Sequence, residues 1–193
     1  MPRRSIELLP LQTYHVYNRG NNKERLFFER KNYAYFLQCV GKNLTPDVAE
    51  ILAFCLMPNH YHLLVQLVDS QFSERMKSLG ISYAKAINAM YGHVGHVFEG
   101  RFKAKCVTSD EYLLNVSRYI HLNPLFGGLV QNAADWEYSS YSVYLPSSKR
   151  DSKQGIRIAR SAILSHFSGC EEYMRFVELF GEEKMREMED SLW

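Results

Sequence analysis

Apolar positions recur along this chain at two spacings, and the switches between them lay out its elements. Thr13-Tyr14-His15-Val16-Tyr17-Asn18 alternates with a period of two and predicts a first strand, closed by the turn-forming Arg19-Gly20-Asn21-Asn22. Between Glu29 and Leu44, Tyr33, Phe36, Leu37 and Val40 recur at helical spacing, and Thr45-Pro46-Asp47 ends that helix. Two apolar runs follow, Glu50 to Leu56 and His60 to Val68, with Pro58-Asn59 as the tight turn of an antiparallel pair. From Ser70 to Tyr91, Phe72, Met76, Leu79, Tyr83, Ile87 and Met90 keep a 3.6-residue repeat, which predicts the longest helix, stopped at Gly92. Gly95 to Val107 reads as a strand or bent hairpin. Ser109-Asp110-Glu111 then supplies a cap and dipole-matched acids for a third helix from Tyr112 to about Leu125, terminated by Gly127-Gly128.

The order strand, helix, strand, strand, helix, strand, helix predicts an α+β, ferredoxin-like (split βαβ) antiparallel sheet with helices on one face. The aromatic and serine-rich stretch Trp136 to Tyr144 is expected to pack over that domain. The chain divides by composition into a domain over 1–145, a polar linker over 146–155 and a C-terminal helical extension over 156–193. In the extension, Ile163, Leu164 and Phe167, then Tyr173, Phe176, Val177 and Phe180, predict two short helices.

Composition adds bounds. Hydrophobic residues at 46% and charged residues at 23% of 193 are globular proportions and exclude wholesale disorder. A net charge of +2 is too mild to name a partner, so local clusters must do so. The cysteines at 39, 55, 106 and 170 include no C-x-x-C pair and read as buried thiols of a reducing compartment. No stretch has the length of a spanning helix and the N-terminus lacks a signal peptide's apolar core, so a cytoplasmic location is expected.

Candidate chemistry gathers in three places. On a strand, His60 and His62 share one face while Tyr61 and Leu63 share the other, a compact two-nitrogen grip for a metal ion. Taken alone, the pair describes an ordinary strand end at least as well. On the third helix Tyr119 and Asn123 stand one turn apart, side by side. Arg101, Lys103 and Lys105 alternate and would form a strip that tracks phosphates, or equally a charged edge strand that blocks aggregation. His15, His93, His96 and His166 have no paired partner in sequence and read as structural or surface histidines. His121 lies about 200° from Tyr119 around the helix and is assigned to packing or a DNA contact.

Four segments, Met57-Pro58-Asn59-His60-Tyr61-His62-Leu63-Leu64-Val65, Gly100-Arg101-Phe102-Lys103, Tyr119-Ile120-His121-Leu122-Asn123-Pro124 and Trp136-Glu137-Tyr138-Ser139-Ser140-Tyr141, occur in this order. Together they resemble the IS200-like, single-tyrosine HUH transposases, and within them the REP-associated tyrosine transposases, from about Tyr14 to Tyr144. The resemblance implies a ferredoxin-like nuclease that cuts and rejoins single-stranded DNA beside a hairpin through a 5′-phosphotyrosine. It implies Tyr119 as nucleophile, His60, His62 and Asn123 as ligands of Mg2+ or Mn2+, and REP-like palindromes as partner, with the protein nucleoid-associated and acting as a monomer or homodimer. Arg101, Lys103 and Lys105, with Arg19 more remotely, are the candidate DNA contacts. Where the family pattern has a bulky hydrophobic residue between the histidines this chain has Tyr61, a second phenol near the site. Two other functions fit the same residues: a domesticated hairpin-binding protein that does not cut, and a metal-dependent phosphodiester hydrolase that uses water.

Overall fold

The computed structural model describes residues 7–148, 152–179 and 181–190. Four strands, β1 (Thr13–Arg19), β2 (Ala49–Met57), β3 (His60–Leu67) and β4 (Lys103–Cys106), form an antiparallel sheet in the order β2-β3-β1-β4. With α1 (Arg30–Asn43) crossing from β1 to β2 and α2 (Phe72–Tyr91) from β3 to β4, this is the expected ferredoxin-like arrangement. Pro58 and Asn59 join β2 to β3 in a two-residue loop that pairs Met57 with His60.

The expected helices on one face are α1 and α2. Phe36 of α1 packs on Tyr61 at 4.9 Å between ring centroids and on Tyr83 of α2 at 5.0 Å, and Phe72 of α2 meets Phe102 at 5.9 Å. Tyr83 is wholly buried, and its hydroxyl donates to the Leu26 carbonyl at 2.7 Å. The third helix, α3 (Asp110–Phe126), lies on the opposite face of the sheet, the face of His60 and His62. Ser109 caps it by accepting from the Tyr112 amide at 3.1 Å, and Asp110 and Glu111 fill its first turn. At the other end Gly127 is needed for room: a Cβ there would lie 2.6 Å from Met57 Cε and 3.0 Å from the Asn123 carbonyl oxygen. The end of α3 is thereby pressed onto the end of β2, beside the β2–β3 turn.

Three expectations change in detail. The block from Gly95 to Val107 yields only the four residues of β4, preceded by a lone bridge between Gly20 and Phe98. The helical extension, expected as two short helices, holds three among the described residues, α4 (Ser161–Leu164), α5 (Cys170–Glu178) and α6 (Glu182–Asp190); Phe180, assigned to the second of the expected helices, is outside the described residues. Within the stretch expected as a linker, Ser152–Lys153 form strand β5, which pairs with β6 (Ile156–Arg157).

The outer edge of β2 is covered. Leu56 N donates to the Tyr138 carbonyl, Ser140 N to the Phe54 carbonyl and Ala159 N to the Ile51 carbonyl, all at 2.8–2.9 Å, while Tyr144 reaches the Leu52 carbonyl at 2.6 Å. The serine-rich aromatic segment therefore does what an edge strand requires, satisfying backbone groups that would otherwise pair with another chain. From behind α3, Tyr173 of α5 places its hydroxyl 2.8 Å from His121 Nδ1 and 3.1 Å from Ser117 Oγ, and His121 Nε2 meets Ser140 Oγ at 2.9 Å. Arg118 stacks over the Phe176 ring at 4.2 Å. No helix is long and apolar enough to cross a membrane among the described residues.

Tyr83→Phe keeps the ring in place but leaves the buried Leu26 carbonyl without its donor, which should cost about 1–2 kcal/mol in equilibrium urea unfolding with an unchanged m-value. No change in midpoint would mean that the carbonyl finds another donor.

Candidate active site

The site lies on the face of the sheet that α3 covers. Register alone assembles its floor: Arg19 is opposite His60, Tyr17 opposite His62 and Lys103, and His15 opposite Leu64 and Lys105. Residues directly across antiparallel strands share a face, so these side chains all point toward α3. Tyr61 points the other way, onto Phe36 and within 6.3 Å of the Phe98 ring, which separates its phenol from the histidine face.

Helix α3 brings Tyr119 and Asn123 down onto this floor. The Tyr119 ring stands edge-on to His62 at 5.3 Å and to His15 at 6.1 Å, and it is 1% exposed. Asn123 Oδ1 is 3.1 Å from His60 Nε2. All four predicted residues thus converge within one chain, without a helix from a second copy. The helical spacing explains the pairing: one turn along α3 matches the step from His62 to His60 along β3.

The hydrogen bonds around His60 bear on whether a metal ion fits. His60 Nδ1 lies 2.7 Å from Asn59 Oδ1, and the Asn59 amide nitrogen donates to the Lys23 carbonyl at 3.3 Å. The neutral ring has one proton for two acceptor oxygens; with it on Nδ1, given to Asn59 Oδ1 over the shorter distance, Nε2 turns its lone pair toward Asn123 Oδ1. Burial holds the His60 pKa down to about 4, with the Asn123 contact opposing that shift and Arg19 adding to it, so the ring is neutral at neutral pH. A ring nitrogen and an amide oxygen facing each other with lone pairs are a donor set that suits a divalent cation. Among the described residues no three His, Cys, Asp or Glu side chains gather as a metal cluster, and the Asn123 amide oxygen is the candidate third ligand beside the two histidines.

His62 is also kept neutral, its pKa pushed well down by burial and then by His60 and His15. His15 is the residue that sequence reasoning missed. It is fully buried, its Nε2 is 3.0 Å from His62 Nδ1, and burial and then Lys105 hold its pKa down to about 3. The alternation of the first strand was legible, but which strand would lie beside it was not.

The cations divide. Lys103 and Lys105 extend from β4 on the histidine face, Lys103 lying 6.0 Å from the Tyr17 ring centroid. Arg101 does not join them: it precedes β4 and is exposed, in the wall of a 670 Å³ cleft on the α2 side with Tyr61, Phe98 and Phe102. Arg19 is on the histidine face but is held by Glu99 in a two-pronged ion pair of 2.6 and 2.9 Å. His121, the other open assignment, packs in the buried network with Tyr173 and Ser140.

A ferredoxin-like sheet that carries a His-x-His pair on one strand, and a tyrosine and an asparagine on a helix packed across it, defines the class of single-tyrosine HUH proteins. The family described as Transposase IS200 like matches residues 9–123, and the chain belongs to it. A Haemophilus influenzae protein with the provisional name REP-associated tyrosine transposase is 29% identical over 103 residues, 48% of this chain and 58% of that protein. The chain thus spans less than two thirds of that relative's length. A solved structure of a REP-associated tyrosine transposase bound to a REP hairpin is similar in fold, with a TM-score of 0.62 and 20% identity over 74% of this chain and 84% of the other.

Four histidines kept neutral by burial, His15, His60, His62 and His121, set the acid limit of this fold. Burial lowers His15 and His121 from 6.5 to about 3. Between those values the unfolded chain binds protons that the folded chain refuses, so stability is complete above pH 6.5 and falls as the pH drops toward 3. Each contributes a slope of up to about 1.4 kcal/mol per pH unit. Urea midpoints measured down this range should decline steadily, and His121→Gln should lessen the slope; a midpoint constant to pH 4 would contradict it.

Proposed function

We propose that this protein is a metal-dependent single-stranded DNA endonuclease and transesterase that acts beside hairpins, with Tyr119 as the nucleophile. The observation that carries the reading is the convergence of Tyr119, His60, His62 and Asn123 in one chain. His60, His62 and Asn123 Oδ1 would hold the ion, Mg2+ or Mn2+; their mixed nitrogen and oxygen set suits manganese better, while cellular abundance favours magnesium. When bound, such an ion polarises a non-bridging phosphate oxygen and offsets the charge of an in-line transition state.

The chain's own residues supply the rest. Tyr119 Oη gives up its proton and attacks phosphorus, displacing the 3′-oxygen, which takes up a proton and leaves as a 3′-hydroxyl, so that one proton is lost and one gained over the step. The 5′-phosphotyrosine keeps the energy of the broken ester, so a 3′-hydroxyl can reverse the step and join strands without ATP. His60 and His62 remain neutral through burial and keep their ring nitrogens available as donors. Lys103 and Lys105 line the approach from β4 and serve as phosphate contacts; Arg19 can serve once Glu99 is displaced. Arg101, on the other side of the sheet, would contact DNA only on that second face. REP-like palindromes are the expected partner and the nucleoid the expected location.

A second reading, hairpin binding without cutting, draws on one observation: Tyr119 is 1% exposed, so a phosphate reaches it only if the cover over the site shifts. A labelled hairpin with single-stranded flanks, incubated with Mn2+ and run on a denaturing gel, separates the readings. The expected result is a protein-linked strand that disappears in Tyr119→Phe; adduct formation by that variant would remove Tyr119 from the role, and tight binding with no adduct would favour the binder. Release of 5′-phosphate with no linked protein would instead indicate a hydrolase.

Asn123→Ala should weaken Mn2+ binding by about tenfold or more, since even an outer-shell change commonly costs that much. Lys103→Ala should weaken hairpin binding equally across sequences and flatten the logarithmic salt dependence by about one unit. Fluorescence anisotropy over a salt series reads both the affinity and the slope.

A further inference from the structure

His15 has no place in the ligand set above, yet the fold buries it completely against that set. An imidazole is a costly choice for such a position. Removing a polar group from water is offset only by the hydrogen bonds it makes, and His15 makes one: its Nε2 meets His62 Nδ1 at 3.0 Å, while its Nδ1 has no hydrogen-bond partner. An apolar side chain of similar size would pack between Tyr17 and Tyr119, whose rings lie at 5.1 and 6.1 Å, without that penalty. What the imidazole adds is therefore its bond to His62.

We propose that His15 is a positioning residue for the metal site: it accepts the Nδ1 proton of His62, and so leaves His62 Nε2, on the far side of the ring, as the lone pair that faces the ion. This rests on the metal-dependent reading of the site. Two arrangements of the pair are possible. If His15 Nε2–H donates, His62 must carry its own proton on Nε2 and is closed to a cation. If His62 Nδ1–H donates, Nε2 is open, and the His15 proton moves to its Nδ1.

Two features favour the open arrangement once a cation is present. The two rings are tilted by 33° with centroids 5.0 Å apart, which holds the His62 ring in one orientation. The neighbouring ligand offers the same device, since Asn59 Oδ1 lies 2.7 Å from His60 Nδ1 and can accept its proton. Each histidine of the pair thus has its Nδ1 occupied by a partner, and each directs Nε2 away from it. Outer partners of this kind fix both tautomer and ring angle in histidine metal sites.

The test uses the full-length protein and Mn2+ alone, with affinity read from the free-ion electron paramagnetic resonance signal and folding checked by melting temperature. His15→Phe, which keeps the volume but cannot accept, should weaken Mn2+ binding by about 10- to 100-fold. His15→Gln, whose amide oxygen can accept, should recover much of it, and His62→Ala should lose binding. His15→Phe within twofold of the native affinity, with His62→Ala inactive in binding, would overturn the role of His15 while leaving the metal site intact. No Mn2+ binding by the native protein would overturn both. Long-range nitrogen-15 correlation spectra of the native protein, titrated with diamagnetic Mg2+, need no variant: the His62 proton should reside on Nδ1 in the loaded form, and a proton on Nε2 there would refute the proposal.

Discussion

Helix α3 lies across the polar face of a four-stranded sheet, and everything chemical in this protein depends on that contact. Without it His15, His62 and Tyr17 would stand in water on an open sheet, with ordinary acid–base behaviour and no fixed geometry. With it His15 and His62 are fully buried and neutral, and Tyr119 and Asn123 come within reach of the His-x-His pair. A face bearing three histidines and two lysines is a poor apolar core. Its burial is tolerable because His15 and His62 hydrogen-bond each other and His60 hydrogen-bonds Asn59, while the lysines sit toward the β4 edge.

The rest of the chain can be understood as holding α3 in place. Its last turn is pressed on β2 through Gly127 and Met57, close to the turn that sets the register of His60. Its outer side is braced by Tyr173 and Phe176 of α5, through His121, Ser117 and Arg118. Ser140 joins these two systems, since its hydroxyl touches His121 and also accepts from the Phe54 amide at the edge of β2. The C-terminal extension is thus tied by buried hydrogen bonds to the same helix that carries the candidate nucleophile. Buried, mutually satisfied networks of this kind restrict an element to one position.

The two faces of the sheet carry different tasks. Aromatic packing among Phe27, Tyr33, Phe36, Tyr61 and Tyr83 fills the α1–α2 side and stabilises the domain. Tyr61, the departure from the family pattern, belongs to that side. It is a core residue 2% exposed, and the period-two geometry of β3 keeps its phenol away from the histidines on either side of it.

Local pattern was enough for much of this. Period-two alternation marked β1, apolar runs marked β2 and β3, and 3.6-residue repeats marked α1, α2 and α3, each to within about two residues, because a helix buries one face while a central strand covered on both sides is apolar throughout. The shared face of His60 and His62, and the side-by-side placement of Tyr119 and Asn123, also follow from those periods alone. What the periods do not contain is which elements become neighbours. That β1 lies beside β3, that His15 therefore touches His62, that Arg101 parts from Lys103 and Lys105 where β4 begins, and that Glu99 takes hold of Arg19 all depend on pairings between residues far apart in the chain. Such pairings are settled only when the whole core closes, since a strand's own sequence specifies its faces but not its partners. The convergence of α3 on β3 is of the same kind, and only the tertiary structure decided it.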